Sequence, residues 1–328
     1  MEKFLILWKN SLFSAILLLM NPSIVQTKIW EKFQNSLGHT TFFHSEADFS
    51  YLAILNHFKL GDYYYLPYGP VLSQKSAAKA AYKELESLAR TKNLIFIRIE
   101  PQNPDFAKYL LTRANCHKSK DLSPARTWVL DLTLDKDQLL ANMKQNNRNL
   151  YRNYRKKGLS IEISQNPTSD LRHLVRIQKN IAKRNHIIPP DFNFLKKQLE
   201  QPFAHLYLAK FEDKVIATGI CFDDKTTRYY MQAAADDRFR KLSAGTSLLA
   251  QMIFDAKAKK LQKFDFWGIA PENAPSSHPW AGFSNFKKSF GGTPVDYAGT
   301  YDLVFQPVKY QIYRIFRKIN RAKRRLLH

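Results

Sequence analysis

One order of secondary-structure elements occurs twice in the chain, and this repetition limits the possible folds more than any other feature. The first series comprises a β segment over residues 61–73, a helix over 75–90, a strand over 94–100, a short helix over 106–113 and a strand over 127–132. The second comprises a strand over residues 227–235, a helix over 243–261, a strand over 263–269, a helix over 280–290 and a strand over 297–305. The second series follows the first by about 170 residues, which indicates an internal duplication.

Hydrophobic periodicity defines these elements. The helix over 75–90 has apolar residues on one face, at Ala78, Ala81, Tyr82, Leu85 and Leu88. The segment LIFIRIE over 94–100 alternates and is rich in β-branched residues, which is typical of a strand.

The segment between the two series has elements of its own. We predict a helix over 136–158, a strand over 159–164, a helix over 170–184, and a hairpin of strands 204–211 and 214–222 that turns at Glu212 and Asp213. This order is that of an acetyltransferase-like module, so the predicted fold class is α/β (α+β). We expect two tandem GNAT-like modules, over residues 1–150 and 151–308, with a cleft between them and a basic C-terminal helix over 309–328.

The chain is strongly basic. Its 51 lysine and arginine residues exceed its 28 acidic residues, which gives a formal net charge of +23. Such a field attracts nucleic acid, anionic membrane surfaces and phosphorylated substrates without selecting among them. Residues 309–328 hold 8 of the basic residues and no acid.

Cysteine usage and the N-terminus bear on location. The two cysteines, Cys116 and Cys221, have no metal-ligand spacing, which favours a reducing, cytoplasmic setting. The apolar segment over residues 4–20 is interrupted at Lys9, so we expect a buried helix there rather than a membrane anchor.

Several segments together carry a family resemblance. They are YLPYGPVL at 65–72, FIRIEP at 96–101, TWVLDLT at 127–133, FDFWGI at 264–269 and FSNFKKSFGG at 283–292, preceded by an opening helix at 26–39. In order and spacing the chain resembles the FemABX family of peptidoglycan-bridge aminoacyltransferases. The resemblance implies an aminoacyl-tRNA donor and a muropeptide acceptor linked to a nucleotide or a lipid. It implies neither a cofactor nor a metal, and we expect a monomer.

The same resemblance assigns roles to individual residues. Lys287 matches a position that stabilises the oxyanion formed when an amine attacks the ester. Phe286 would stack on the terminal base of the tRNA, although core packing is the alternative. Arg184 matches a position that contacts the acceptor phosphate, although it could equally be a cation at a helix C-terminus.

Residues of the predicted acceptor groove are less specific. They are Tyr65 and Gly69 in the first module and Tyr230 in the second. Family members often have Arg and Asp where this chain has Tyr68 and Ser73, so a carboxylate base is absent at the second position.

Two basic segments could bind polyanions. Lys144, Arg148, Arg152 and Arg155 recur every three or four residues and would form one face of a helix. This face suits tRNA phosphates, and a solvated surface is the alternative. The C-terminal segment is amphipathic, with Ile312, Ile315, Phe316 and Ile319 on one side. It could lie on an anionic inner leaflet, contact tRNA or pack against the protein.

Two other functions compete with aminoacyl transfer. An acyl-CoA N-acyltransferase needs a glycine-rich turn before the long helix of the module, and here the central glycine is replaced by Ser243. A non-enzymatic RNA-binding protein would suit the charge, but the duplicated plan and the absence of an RNA-binding motif in the sequence argue against it.

Overall fold

A computed structural model describes residues 22–185 and 190–326. The strands are β1 (Thr41–Ser45), β2 (Phe49–Phe58), β3 (Gly61–Leu66), β4 (Val71–Leu72), β5 (Phe96–Ile99), β6 (Cys116–Ser119), β7 (Arg126–Asp131), β8 (Leu159–Ile163), β9 (Ala204–Phe211), β10 (Lys214–Asp223), β11 (Thr227–Ala235), β12 (Lys263–Gly268), β13 (Thr293–Asp296) and β14 (Thr300–Val304). The α-helices are α1 (Lys28–Ser36), α2 (Ala78–Thr91), α3 (Pro104–Leu111), α4 (Lys136–Asn142), α5 (Gln145–Asn153), α6 (Pro167–Asn185), α7 (Phe192–Leu199), α8 (Ala244–Ala258), α9 (Ala281–Lys288) and α10 (Pro307–Leu326). The apolar segment over residues 4–20 lies outside the described residues.

The chain forms two compact units. Unit 1 combines residues 1–125 with 297–328, and unit 2 comprises residues 126–296. These units divide the chain at other positions than the predicted modules 1–150 and 151–308. Strand β7 lies in the sheet of unit 2, and β14 lies in the sheet of unit 1.

Unit 1 is built on a sheet with the strand order β1-β2-β3-β5-β14-β6, and β4 pairs with β2. Strands β3 and β5 are parallel, whereas the other pairs are antiparallel. Helix α2 packs through its predicted face, because Ala78, Ala81, Tyr82, Leu85 and Leu88 are all buried. Burial of this apolar stripe is the main stabilisation such a helix receives.

Unit 2 has the strand order β13-β7-β12-β11-β10-β9-β8. Its parallel pair is β11 and β12. Helix α8 supplies the centre of the core through Leu248, Leu249 and Met252, all buried. Strands β9 and β10 form the predicted hairpin, whose turn residues Glu212 and Asp213 both have positive φ angles.

The duplication predicted from the sequence is visible in the sheets. Each unit has a parallel strand pair, β3 with β5 and β11 with β12, connected through a helix, α2 in unit 1 and α8 in unit 2. The last strand of each series is exchanged, because β7 pairs with β12 and β14 pairs with β5. The prediction of an α/β fold of tandem GNAT-like modules is confirmed.

One sequence prediction about a helix was wrong in detail. The single helix expected over 136–158 is divided into α4 and α5, because Met143 is extended and Lys144 begins a new helix. Along the apolar face of α10, Ile315, Phe316 and Ile319 are 57%, 41% and 47% exposed, and the Phe316 ring contacts the Phe58 ring. Tyr310 and Tyr313 are buried and attach α10 to the rest of unit 1. Within the described residues, the helices are too short or too polar for one to cross a membrane.

Candidate active site

A wedge opens between β11 and β12 in unit 2. Their parallel pairing ends at Tyr229 and Asp265, although β11 continues to Ala235 and β12 to Gly268. Beyond this point the backbone groups along the facing edges of the two strands are not bonded to each other, so they can bind another molecule. In unit 1 the corresponding pair, β3 and β5, stays paired as far as Leu66 and Ile99, the last residues of both strands.

A cavity of about 430 Å³ lies beside this wedge, between β11 and the N-terminus of α8. We call it the β11–α8 cavity. Tyr230 and Phe286 both line it, so two of the predicted substrate-binding residues are brought together. Burial raises the pKa of the Tyr230 hydroxyl above its ordinary value, which keeps this group neutral.

Thr218 lines the same cavity and was missed by the sequence reasoning. Its side chain is fully buried, and its hydroxyl has no hydrogen-bond partner among the described residues. A buried hydroxyl without a partner is costly, so a polar group of a bound molecule is a suitable partner for it. A lone threonine in an apolar strand carries no sequence signal that could have revealed this.

The N-terminus of α8 forms another wall of the β11–α8 cavity. Ser243, which precedes the helix, adopts a left-handed conformation with φ of 52° and has no side-chain capping bond. The first N–H groups of a helix lack partners within it, and the helix dipole adds partial positive charge there. The turn can therefore receive an anionic group although its central glycine is absent.

Lys287 lies on α9 and points towards β12. Its side chain is 9% exposed, and its ammonium group donates to the backbone carbonyl of Gly268 at 2.7 Å. Burial lowers the pKa of Lys287 to about 8, while the charge of Asp265 opposes that shift. Phe286, the preceding residue, reaches the β11–α8 cavity, whereas Lys287 is directed to the end of β12.

Asp265 is the acidic partner of this lysine. Burial raises the pKa of the Asp265 carboxyl to about 6. Hydrogen bonds from the Thr127 hydroxyl and the Trp267 backbone N–H oppose this rise, and so does the charge of Lys287. Trp267 has a positive φ of 63°, unusual for a bulky residue, at an irregularity in the pairing of β12 with β7. Perturbed acid and base groups beside strained backbone are typical of functional sites.

The residues predicted for an acceptor groove in unit 1 make internal contacts. The hydroxyl of Tyr65 donates to Glu100 at 2.5 Å and lies 2.8 Å from the Ser123 hydroxyl. Gly69 is buried, and a Cβ atom there would lie 2.5 Å from the Gln26 side-chain oxygen. Gln26 in turn donates to the carbonyl of Pro67. Close packing against Gln26 therefore explains the glycine.

The predicted tRNA stripe does not lie on one helix. Lys144 is the N-cap of α5, Arg152 is exposed on it, and Arg155 follows it over the ring of Tyr154. Arg148 donates to the carbonyls of Ala141 and Met143, at 2.8 and 3.1 Å, and so caps the C-terminal end of α4. Arg184 lies near the end of α6, and its side chain lies outside the described part of the chain.

Comparison with known proteins agrees with this architecture. A family model described as the FemAB family matches residues 193–318, which span most of unit 2 and continue into α10. Over these residues the chain is similar to the FemAB family. The match covers less than half of the chain. No curated protein matches it.

Several solved structures are similar to this chain in fold. The crystal structure of FemX has a TM-score of 0.79 at 15% identity and covers 92% of this chain and 98% of its own. L-PGS from Bacillus licheniformis has a TM-score of 0.56 at 12% identity, with coverage of 92% and 98%. A tandem GNAT protein from the clavulanic acid biosynthesis pathway has a TM-score of 0.51 at 12% identity, with coverage of 86% and 89%. At these identities the likeness concerns the fold.

Proposed function

We propose that this chain belongs to the FemABX family and transfers an amino acid from aminoacyl-tRNA to an amine on the stem peptide of a peptidoglycan precursor. The acceptor would be UDP-MurNAc-pentapeptide or lipid II, and the product would begin an interpeptide bridge. The match of residues 193–318 to the FemAB family supports peptidoglycan-bridge aminoacyl transfer at the family level. The tRNA donor and the identity of the acceptor belong to the proposal.

The observation that carries the proposal is the wedge between β11 and β12 together with the β11–α8 cavity. An activated acyl group needs a place where its carbonyl meets polar groups in a dry environment. The facing strand edges provide such groups, and the α8 N-terminus suits a phosphate of the donor. Phe286 would stack on the terminal adenine of the tRNA.

The reaction requires little from the enzyme beyond positioning and charge. The neutral amine attacks the ester carbonyl, a C–N bond forms, and the bond to the ribose oxygen breaks. The amine proton ends on the departing ribose oxygen, directly or through water. We assign Lys287 the role of stabilising the negative charge on the carbonyl oxygen during this step, since its ammonium group lies at the end of β12.

Other predicted residues remain in the proposal with narrower roles. Tyr230 would line the donor site with Phe286, while Tyr65 and Arg184 would contact the acceptor. Of the proposed tRNA contacts, Lys144, Arg152 and Arg155 are exposed, whereas Arg148 has a structural role. We further propose a cytoplasmic monomer whose C-terminal helix contacts the inner face of an anionic membrane.

A donor-competition assay tests the proposal. Purified protein is incubated with UDP-linked or lipid-linked muropeptide and either charged tRNA or acetyl-CoA, and added mass is measured. We expect an added amino acid with charged tRNA, and none with deacylated tRNA. Transfer from acetyl-CoA alone would instead favour an acyl-CoA N-acyltransferase, whose pyrophosphate the turn before α8 could receive even with Ser243 in place of glycine. Binding of tRNA without any transfer would indicate an RNA-binding protein.

A further inference from the structure

A second cavity lies in unit 1, between the edge strand β6 and α10. Its volume is about 540 Å³. Besides the buried Arg98, five cations line this β6–α10 cavity: Lys118, Lys120, Arg314, Arg317 and Lys318. The proposed transfer reaction assigns it no role.

The floor of the β6–α10 cavity is electrically neutral. Arg98 and Asp302 form a buried bidentate pair, with two N–O distances of 2.7 Å. The Tyr310 hydroxyl also donates to Asp302, at 2.8 Å. Asp302 is the one acid among the lining residues, so it is not available to neutralise the cations above it.

The five cations are therefore unmatched. Among the described residues, none of them has a carboxylate within 4.0 Å. Arg314 and Arg317 lie over the rings of Tyr310 and Tyr313, which directs their guanidinium groups to the cavity side of α10. A cluster of this kind is suited to a phosphate group, because guanidinium and ammonium groups both donate hydrogen bonds to its oxygens.

The apolar side chains of α10 indicate which phosphate-bearing molecule this is. Ile315 lines the cavity, and with Ile319 it is about half exposed. A soluble nucleotide or a tRNA backbone gives such side chains no apolar partner. A bilayer does, because a helix with cations beside an apolar face lies in the interface between headgroups and acyl chains.

We propose that the β6–α10 cavity binds the phosphate group of an anionic bilayer lipid while Ile315 and Ile319 enter the acyl-chain region. This inference rests on the proposed membrane contact of the C-terminal helix but not on the transfer reaction. If α10 alone bound the membrane, Lys118 and Lys120 would not be needed, since they belong to β6 and the loop that follows it. The proposal requires both lysines.

Vesicle flotation of the full chain tests the requirement. Vesicles contain phosphatidylcholine alone or phosphatidylcholine mixed with phosphatidylglycerol. We expect the double variant Lys118→Gln/Lys120→Gln to bind the mixed vesicles about 25-fold more weakly than the unmodified protein, because each lysine near an anionic surface strengthens binding by about fivefold. The matched control Lys79→Gln/Lys83→Gln removes two exposed lysines from α2 in the same unit, and we expect less than a twofold change.

Two further double variants test the cations and the apolar side chains of α10 separately. Arg314→Gln/Lys318→Gln should weaken vesicle binding as much as Lys118→Gln/Lys120→Gln does. Ile315→Ser/Ile319→Ser should reduce the part of the vesicle binding that remains at high salt. Equal binding by the β6 variant and its control would overturn the proposal, since the tail would then act alone. Loss of tRNA binding with retained vesicle binding in the β6 variant would assign the cavity to nucleic acid. Neither result depends on the transfer assay.

Discussion

At the scale of single residues, the proposed site contains a buried lysine, Lys287, and a buried aspartate, Asp265. The sequence motif FKK identified Lys287, but its acidic partner was not identified, although Asp265 is part of the quoted segment FDFWGI. The two residues are far apart along the chain. Asp265 lies on β12 and Lys287 on α9, and the fold brings them close enough for the charge of Asp265 to act on the lysine. Local pattern could not reveal a pair that depends on how a strand and a helix pack.

The pH dependence of transfer should report this pair. In the proposed mechanism Lys287 acts as a cation, and burial lowers its pKa to about 8, so its contribution should be lost as pH rises through about 8. The carboxylate of Asp265 favours the protonated lysine. Asp265→Asn should therefore move the decline in kcat to lower pH, by about half a unit to one unit.

A surface aspartate provides the control for this profile. Asp137 is exposed at the start of α4 in the same unit, and Asp137→Asn should leave the profile unchanged. A decline in kcat at the same pH in the Asp265 variant and the unmodified enzyme would show that Asp265 does not tune Lys287.

At the scale of elements, the chain reveals helix faces more reliably than helix ends. The apolar stripe of α2 was predicted residue for residue, because burial follows the helical period. The division between α4 and α5 was not predicted, because it depends on a hydrogen bond from the backbone N–H of Lys144 to the carbonyl of Ser289. That contact joins positions distant in sequence, and it ends one helix and begins the next where the local pattern continues.

Arg148 should stabilise this division. Its guanidinium group donates to carbonyls at the end of α4, so Arg148→Ala should lower the free energy of unfolding by about 1 kcal/mol. Arg152→Ala on the exposed side of the same helix should change it by less than about 0.5 kcal/mol. Urea denaturation measures both values. Equal effects of the two variants would remove the structural role assigned to Arg148.

The buried pair between β5 and β14 should show strong coupling. Arg98→Met leaves Asp302 without its ionic partner, and Asp302→Asn leaves Arg98 buried and unpaired, so each variant should lose about 3 kcal/mol of stability. The double variant should lose much less than the sum, because no unpaired charge remains. A double-mutant cycle by denaturation measures the coupling, and strictly additive losses would contradict it.

At the scale of the whole molecule, the duplication was predictable and the exchange of strands was not. Periodicity defines a strand at 127–132 and another at 297–305, but it does not specify which sheet each joins. In the structure β7 pairs with β12, and β14 lies between β5 and β6. The boundaries predicted at residues 150 and 308 therefore differ from those of the compact units.

The exchange of β7 and β14 between the two sheets predicts which fragments of the chain can fold alone. Unit 2 is continuous, so residues 126–296 alone should unfold cooperatively on heating. Residues 1–125 alone should not, because without β14 the strand β6 has no partner in the sheet. Joining residues 297–328 to residues 1–125 through a short linker should restore cooperative unfolding. Circular dichroism measures all three, and a folded 1–125 fragment would contradict the assignment of β14.

In the proposed mechanism Lys287 stabilises the negative charge on the carbonyl oxygen, and a single-turnover transfer measurement tests this role directly. Labelled aminoacyl-tRNA and muropeptide are mixed with excess enzyme carrying either Lys287→Met or Lys288→Met, of which the second removes an exposed neighbouring charge. Loss of an oxyanion-stabilising group should slow transfer by about 100-fold or more in the Lys287 variant, with donor binding retained. The Lys288 variant should react at nearly the unmodified rate. Equal rates in both variants would contradict the proposed mechanism.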